Sequence, residues 1–302
     1  MAKSKEVIQL KKLVERQNLT IQRMRKVRAR PLAAALGRKD SRTRELSVIC
    51  TDSHGAYQDE QAISTFLGDL KTLDPKRVYH LGDAVDCGGF LSSHEVIGVL
   101  PEMDISYEED CGAANTLLDG IQSNTRKGTE FTLIEGNHEN RIRRWIAKQV
   151  LAKGKDAKFL NQLMGVQATL NIKKRGIRYI ERHKYYDGFS VSGTIRIGTS
   201  KIAAQHGEAT SGPQASQRQL QRLGYSVLFG HTHRLNEFYA EKLTSQIVAV
   251  NCGCLCQRRP VYGLTKTTDW MHGYVICVHS NEGFFTIPVP IVNGVSYLRQ
   301  LL

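Results

Sequence analysis

The hydrophobic positions of this chain fall into three successive patterns. Val7, Leu10, Val14, Ile21 and Met24 fall at a/d-like spacing, interrupted at Gln17. They predict one amphipathic helix ending before Pro31, followed by an Ala- and Arg-rich linker to Arg44. From there, short apolar runs alternate with longer amphipathic ones. "ELSVIC", "RVYHLG" and "EFTLIEG" read as strands, with helices "DEQAISTFLGDLKTL" and "YEEDCGAANTLLDGIQS" between them. That alternation predicts a largely parallel sheet with helical crossovers. "ENRIRRWIAKQVL" and "AKFLNQLM" predict two further helices that form a lid or cap.

The second half switches to period two. "GFSVSGTIRIG", "KIAAQHG", "YSVLFG", "SQIVAVNCGC", "GYVICVHS" and "GFFTIPVPIV" are short strands between turn residues, with one helix, "SGPQASQRQLQRL", among them. Two sheets face to face with helices outside accommodate both halves. The expected fold is α/β, a four-layer α/β/β/α sandwich of two mixed sheets flanked by helices. Residues 1–44 form a basic helical arm and linker, and residues 45–302 the folded domain.

Charge sharpens that division. Residues 1–44 hold fourteen Lys/Arg against Glu6, Glu15 and Asp40, so the remainder carries only +2 of the net +13. Such an arm suits nucleic acid through counterion release, and its a/d stripe also suits oligomerisation or an acidic protein partner; nucleic acid is favoured. Seven cysteines in 302 residues, with Cys252, Cys254 and Cys256 alternating, do not make a small-domain disulfide framework. They read as alternate positions of a half-buried strand. No stretch has the make-up of a signal peptide or a membrane span, so the expected setting is the cytoplasm, or a host's cytoplasm for a phage-encoded protein.

Each apolar strand ends in hard-oxygen or imidazole donors. "SVIC" leads to Asp52 and His54, "VYHLG" to Asp83, and "FTLIEG" to Asn137 and His138. "IAAQ" leads to His206, and "VLFG" to His231 and His233. In open α/β sheets ligands bind at this edge. Carboxylate, amide oxygen and imidazole together suit divalent ions such as Mn, with Fe, Zn, Co or Ni also accepted. Seven or so donors are too many for one tetrahedral site and suit two ions sharing a carboxylate, which would clamp a phosphoryl group and acidify a water.

The ordered blocks Asp52-Ser53-His54, Gly82-Asp83-Ala84-Val85-Asp86, Gly136-Asn137-His138-Glu139, His206 and Gly230-His231-Thr232-His233 resemble the calcineurin-like metallophosphoesterase superfamily. The resemblance spans about residues 45 to 290 and leaves the arm outside. It implies one ion on Asp52, His54, Asp83 and His233, and a second on Asp83, Asn137, His206 and His231. It makes His138 the general acid, with Asp86 hydrogen-bonded to its imidazole and raising its pKa. Cys87 and Glu135 stand where the Ser/Thr protein phosphatase branch carries arginines, which weighs against that branch. The segment "TDWMHGYVICVHSNEGFFTIPVPIVNG" is more loosely similar to bacteriophage and bacterial phosphoesterases of DNA-repair-exonuclease type.

Arg141, Arg143, Arg144 and Arg234 are candidates for substrate phosphate, equally readable as solvated positions. Trp145 and Trp270 read as core or rim packing, and His80, His94, His183, His272 and His279 as structural or surface residues. Three functions follow in order: a phosphodiesterase or nuclease acting on nucleic acid; a phosphomonoesterase or small-nucleotide phosphodiesterase whose arm serves assembly; and a non-catalytic nucleic-acid-binding or structural module.

Overall fold

The computed structural model describes residues 45–90, 106–150, 154–200, 202–208, 212–242, 245–258, 268–280 and 283–298. The N-terminal arm and His94 lie outside them.

Strands form where the apolar runs predict them. β1 (Glu45–Cys50), β2 (Arg77–His80), β3 (Glu130–Ile134) and β4 (Arg178–Ile180) pair in parallel, each with the next. Helices α1 (Glu60–Leu73) and α2 (Tyr107–Ser123) make the first two crossovers. Asp59 starts α1 by accepting from the Ala62 N–H, and Ser106 and Glu109 form a reciprocal capping box on α2. Between β3 and β4 lie α3 (Glu139–Gln149), α4 (Gly154–Met164) and the single turn α5 (Val166–Thr169).

The second sheet is built from β5 (Ile195–Arg196), β6 (Ala203–Ala204), β7 (Val227–Phe229), β8 (Leu235–Lys242) and β9 (Ser245–Cys252), with α6 (Ala215–Leu223) between β6 and β7. Its order is β5-β6-β7-β9-β8. The chain then returns to the first sheet through β10 (Gly273–His279), β11 (Phe284–Val292) and β12 (Val295–Ser296). β10 lies antiparallel against β1, giving the order β12-β11-β10-β1-β2-β3-β4. Both sheets are mixed.

The period-two pattern separates the layers. Val48 and Cys50 of β1, with Tyr274 and Ile276 of β10, pack against Phe66, Leu70, Leu117 and Leu118 of the helices. Ile49, Val275 and Cys277, one residue out of phase, face Leu228, Val250 and Cys252 of the second sheet. On the far side, Ala203, Phe229 and Ala249 pack on Ala215 and Leu220 of α6. The result is the four-layer α/β/β/α sandwich expected from the sequence. Truncating Phe66, fully buried and edge-on to Tyr274, would cost about 3–5 kcal/mol.

Three expectations need correction. Helix α3 is not a free lid, because its Ile142 and Ile146 are part of the main core. The second-half strands are shorter than their apolar runs, and β4, β8 and β12 were not anticipated. β8 is a polar edge strand: Phe238 and Ala240 pack inward, Glu237 and Glu241 point out, and Tyr239, exposed with them, blurs the apolar–polar alternation. Only Cys252 belongs to β9; Cys254 and Cys256 follow it in isolated bridges, and all three are fully buried rather than half-buried.

Candidate metal centre

The donors gather because the strands deliver them to one edge and the backbone then turns sharply. Asp52, His54, Asp83, His231 and His233 all have positive φ, between 51° and 70°. Side-chain-bearing residues enter this left-handed region at a cost of about 1–3 kcal/mol each, and such strain concentrates at functional sites. Two glycines allow the close approach. A Cβ on Gly136 would lie 2.1 Å from Asp83 Oδ1, and one on Gly230 would lie 2.1 Å from Thr51 Oγ1.

Two donor sets share one carboxylate. On one side, His233 Nε2 lies 3.2 Å from Asp52 Oδ1 and 3.1 Å from His54 Nε2. His54 Nε2 is 3.9 Å from Asp52 Oδ1 and 4.0 Å from Asp83 Oδ2. On the other side, Asn137 Oδ1 lies 2.9 Å from His206 Nε2 and 2.7 Å from His231 Nδ1. His206 Nε2 is also 3.2 Å from Asp83 Oδ2. Asp52, His54 and Asp83 form one cluster of ligand atoms, and Asp83, His206 and His231 another. The structure thus brings together all seven residues named from the sequence.

These contacts make sense around cations. His206 Nδ1 donates to the Leu81 carbonyl (3.0 Å), so a neutral ring turns its Nε2 lone pair toward two acceptor oxygens. His54 Nδ1 donates to Asp86 Oδ1 (2.9 Å), which leaves its Nε2 in the same position. Asp52 Oδ1 is buried with no hydrogen-bond partner. Acceptors facing acceptors in a dry site are costly, and a divalent ion between them removes that cost.

The charge balance agrees. Burial disfavours ionisation of Asp52, Asp83 and Asp86, but neighbouring imidazoles outweigh it and hold all three below the usual carboxylate range. Burial likewise opposes charging of His54, yet its hydrogen bond to Asp86 and the charges of Asp83 and Asp52 lift it to about 9. His231, with an amide rather than a carboxylate as partner, is lowered to about 4 by burial and the charge of His206. The site calls for positive charge, and most strongly where the carboxylates cluster.

His138 stands beside the shared carboxylate. Its backbone N–H donates to Asp83 Oδ1 (2.9 Å), and its Nε2 lies 3.7 Å from Asp83 Oδ2. Its Nδ1 is 2.8 Å from the Asp86 carbonyl and 3.0 Å from Asp86 Oδ1. Asp86 therefore serves both His54 and His138. Asp86 raises the His138 pKa as expected, but it does not set the net direction. Burial, with the charges of His54 and Arg141, outweighs Asp83 and Asp86 and holds it below the ordinary imidazole value.

The four arginines divide. Arg141 donates to His138 Nε2 (2.8 Å) and to the Asp86 carbonyl (2.9 Å), at the centre itself. Arg234 is engaged by Asp269 through two bonds of 2.6 and 2.5 Å, at the segment that sets Trp270 against the His233 ring (centroids 4.0 Å apart). Arg143 pairs with Glu181 at 3.8 Å, and Arg144 is exposed. Trp145 packs on Phe90, as core residues do.

Two supporting carboxylates were not singled out from the sequence. Glu139 accepts from the N–H groups of Gly136 (2.8 Å), Asp83 (3.0 Å) and Ala84 (2.6 Å), tying two ligand loops together. Asp110 accepts from Ala56 (3.2 Å), Asp86 (3.1 Å) and Cys87 (2.8 Å). A signal existed, because Asp110 lies on the apolar stripe of α2 with Ala114, Leu117 and Ile121. His80, fully buried, lies 3.0 Å from Ser53 Oγ and acts as a buttress behind the first ligand loop.

A two-sheet sandwich with a carboxylate–imidazole centre at its strand ends defines a phosphoesterase-type scaffold. Residues 46–269 match the family model of the calcineurin-like phosphoesterase superfamily domain, and the chain belongs to that superfamily. No curated protein matches it by sequence. Solved structures similar to it include vacuolar protein sorting 29 from Entamoeba histolytica complexed with zinc (14% identity, 83% of this chain and 95% of that one, TM-score 0.40). A predicted phosphoesterase from Streptococcus pneumoniae is 15% identical, over 85% of this chain and 97% of that one, with TM-score 0.34. The nuclease MPE of Pseudomonas putida is 13% identical, over 80% and 87%, with TM-score 0.31. Among the described residues, no helix is long and apolar enough to cross a membrane.

Proposed function

We propose that the chain is a phosphodiesterase acting on nucleic acid. The observation that carries the phosphoesterase part is the pair of buried donor sets meeting at Asp83 Oδ2, with His138 beside it. Asp52, His54, Asp83 and His233 would hold one divalent ion, and Asp83, Asn137, His206 and His231 the other. When bound, two such ions supply Lewis-acid stabilisation of phosphoryl charge and acidify a water, and Mn suits the donor set.

The chain's own groups do the rest. Once Arg141 turns from Nε2 to a phosphoryl oxygen, His138 takes up a proton at Nε2 and gives it to the departing oxygen, while Asp86 accepts from Nδ1 and steadies the imidazolium. Arg141 stands within hydrogen-bond reach of that same Nε2 and donates to a phosphoryl oxygen once substrate arrives. Glu139 and Asp110 hold the ligand loops in place through backbone N–H groups.

The nucleic-acid part rests on charge. Residues 1–44, read as a separate basic arm, would tether the near-neutral domain 45–302 to a polyanion. The test is hydrolysis with added Mn²⁺ of single- and double-stranded DNA and of bis- and mono-p-nitrophenyl phosphate, with Asp83→Asn as blank. Turnover of DNA and diester, lost in the blank and weakened on DNA by deleting residues 1–44, is the expected result. Turnover of the monoester alone would overturn the nucleic-acid reading and leave the arm for a protein partner.

A further inference from the structure

Beside His206 lies a small polar cavity with no part in the proposed hydrolysis. It is lined by Glu135, Arg182, Ser192, Gln205, His206 and Glu208, among others. Its volume of about 30 Å³ holds a water or a single oxygen-bearing group. Gln205 is 4% exposed; its Oε1 accepts from Thr194 Oγ1 (2.8 Å), and its Nε2 is buried with no partner. A buried amide donor left unpaired costs about 1–3 kcal/mol, so an acceptor is expected there.

The cavity also carries a cation. The Arg182 backbone N–H donates to Glu135 Oε2 (2.9 Å), and one guanidinium nitrogen donates to the Gly207 carbonyl at 3.3 Å, beside His206. Among the described residues the cavity's carboxylates have partners of their own: Glu208 pairs with Arg222 at 2.5 Å, and Glu135 accepts from the Arg182 backbone.

We infer that Arg182 and Gln205 form a seat for an oxygen of a second phosphate, flanking the one hydrolysed on the His206 side, and so select substrates with more than one phosphate. The inference rests on the proposed centre, since the seat is defined by its place beside His206. A water could also accept from the amide and the guanidinium, but only an anionic oxygen makes the bond to the guanidinium charge-assisted.

The test compares dithymidylate with one internal phosphodiester, TpT, with the same molecule bearing a terminal phosphate, pTpT, under Mn²⁺. The wild type is expected to favour pTpT in kcat/KM by about tenfold, the discrimination a charge-assisted hydrogen bond supplies. Arg182→Ala should remove this preference through KM while leaving TpT turnover unchanged. Arg182→Lys should keep part of it, and Gln205→Leu should reduce it severalfold. Thermal unfolding of each variant guards against loss of fold. A wild type with no preference, a preference that survives Arg182→Ala, or an equal loss on both substrates would each overturn the seat. Absence of any Mn²⁺-dependent turnover that Asp83→Asn abolishes would overturn the proposed function itself, and the seat with it.

Discussion

The two halves of the centre use the same residue types and differ in their surroundings. Around His54 stand three carboxylates, Asp52, Asp83 and Asp86, and the half is closed by Trp270 against His233 and by Cys256 Sγ, 3.8 Å from His233 Nδ1. Around His231 the oxygen facing the ring is the Asn137 amide, the shared Asp83 lies 3.2 Å from His206, Asp52 Oδ2 accepts from the His231 backbone N–H (2.8 Å), and a polar cavity opens beside His206. One histidine is lifted to about 9 and the other lowered to about 4. On the proposed assignment, the contrast means that the Asp52 half would hold its ion more tightly and the Asn137 half would share one with substrate. Affinity for hard divalent ions follows the count of charged ligands, so the first half should fill first.

The largest way to break the comparison is Asp83→Asn, which removes the carboxylate common to both halves. Metal content should fall from two ions toward none by elemental analysis, and hydrolysis by about a thousandfold or more. Next, Asn137→Asp should sharpen it from the other side. With equal charge in both halves, manganese titration calorimetry should show the weaker step tightening by about 10–100-fold, while Asp52→Asn loosens the tighter step by a similar factor.

His279 tests whether carboxylates, rather than burial alone, lift a buried imidazole. It is fully buried between Ser47 (2.9 Å) and Ser200 (2.7 Å), with no carboxylate partner, and burial lowers it to about 4. The unfolded chain binds this proton near 6.5, so the stability it contributes is full above pH 6.5. That contribution is lost as pH falls from 6.5 toward 4, by about 1.4 kcal/mol per unit. Chelator-treated wild type should show this decline in denaturant melts, and His279→Gln should flatten it by that amount. The smallest effect is expected from Cys256→Ala. Losing the sulfur beside His233 should weaken only the tighter manganese step, by about tenfold or less.

Much of this was legible in the sequence, for definite reasons. The seven donors were readable because each follows an apolar run at a strand end, and the fold carries that edge to one place. Helix α2 could be read to its last residue, because a capping box and an apolar stripe both mark it. The misses have a different character. Arg182 follows β4, a strand of three residues with no period to detect, and in β8 the exposed Tyr239 breaks an alternation carried inward only by Phe238 and Ala240. Arg234 lies next to a ligand, yet its partner Asp269 is far along the chain, and only the folded chain shows that its charge is already taken. The His138 shift was misjudged because a motif names a neighbour but does not weigh burial against it.

The donors come from β1, β2 and β3 in one sheet and from β6 and β7 in the other, so a filled centre is also a cross-link. His54 and His233 are 179 positions apart, and joining them closes a loop that the unfolded chain pays for in entropy. An ion bound only by the folded form would therefore rivet the two sheets together. At a concentration one hundred times its Kd, it would raise the free energy of unfolding by about 2.7 kcal/mol. Metal supply would then govern how long the molecule survives heat as well as whether it works.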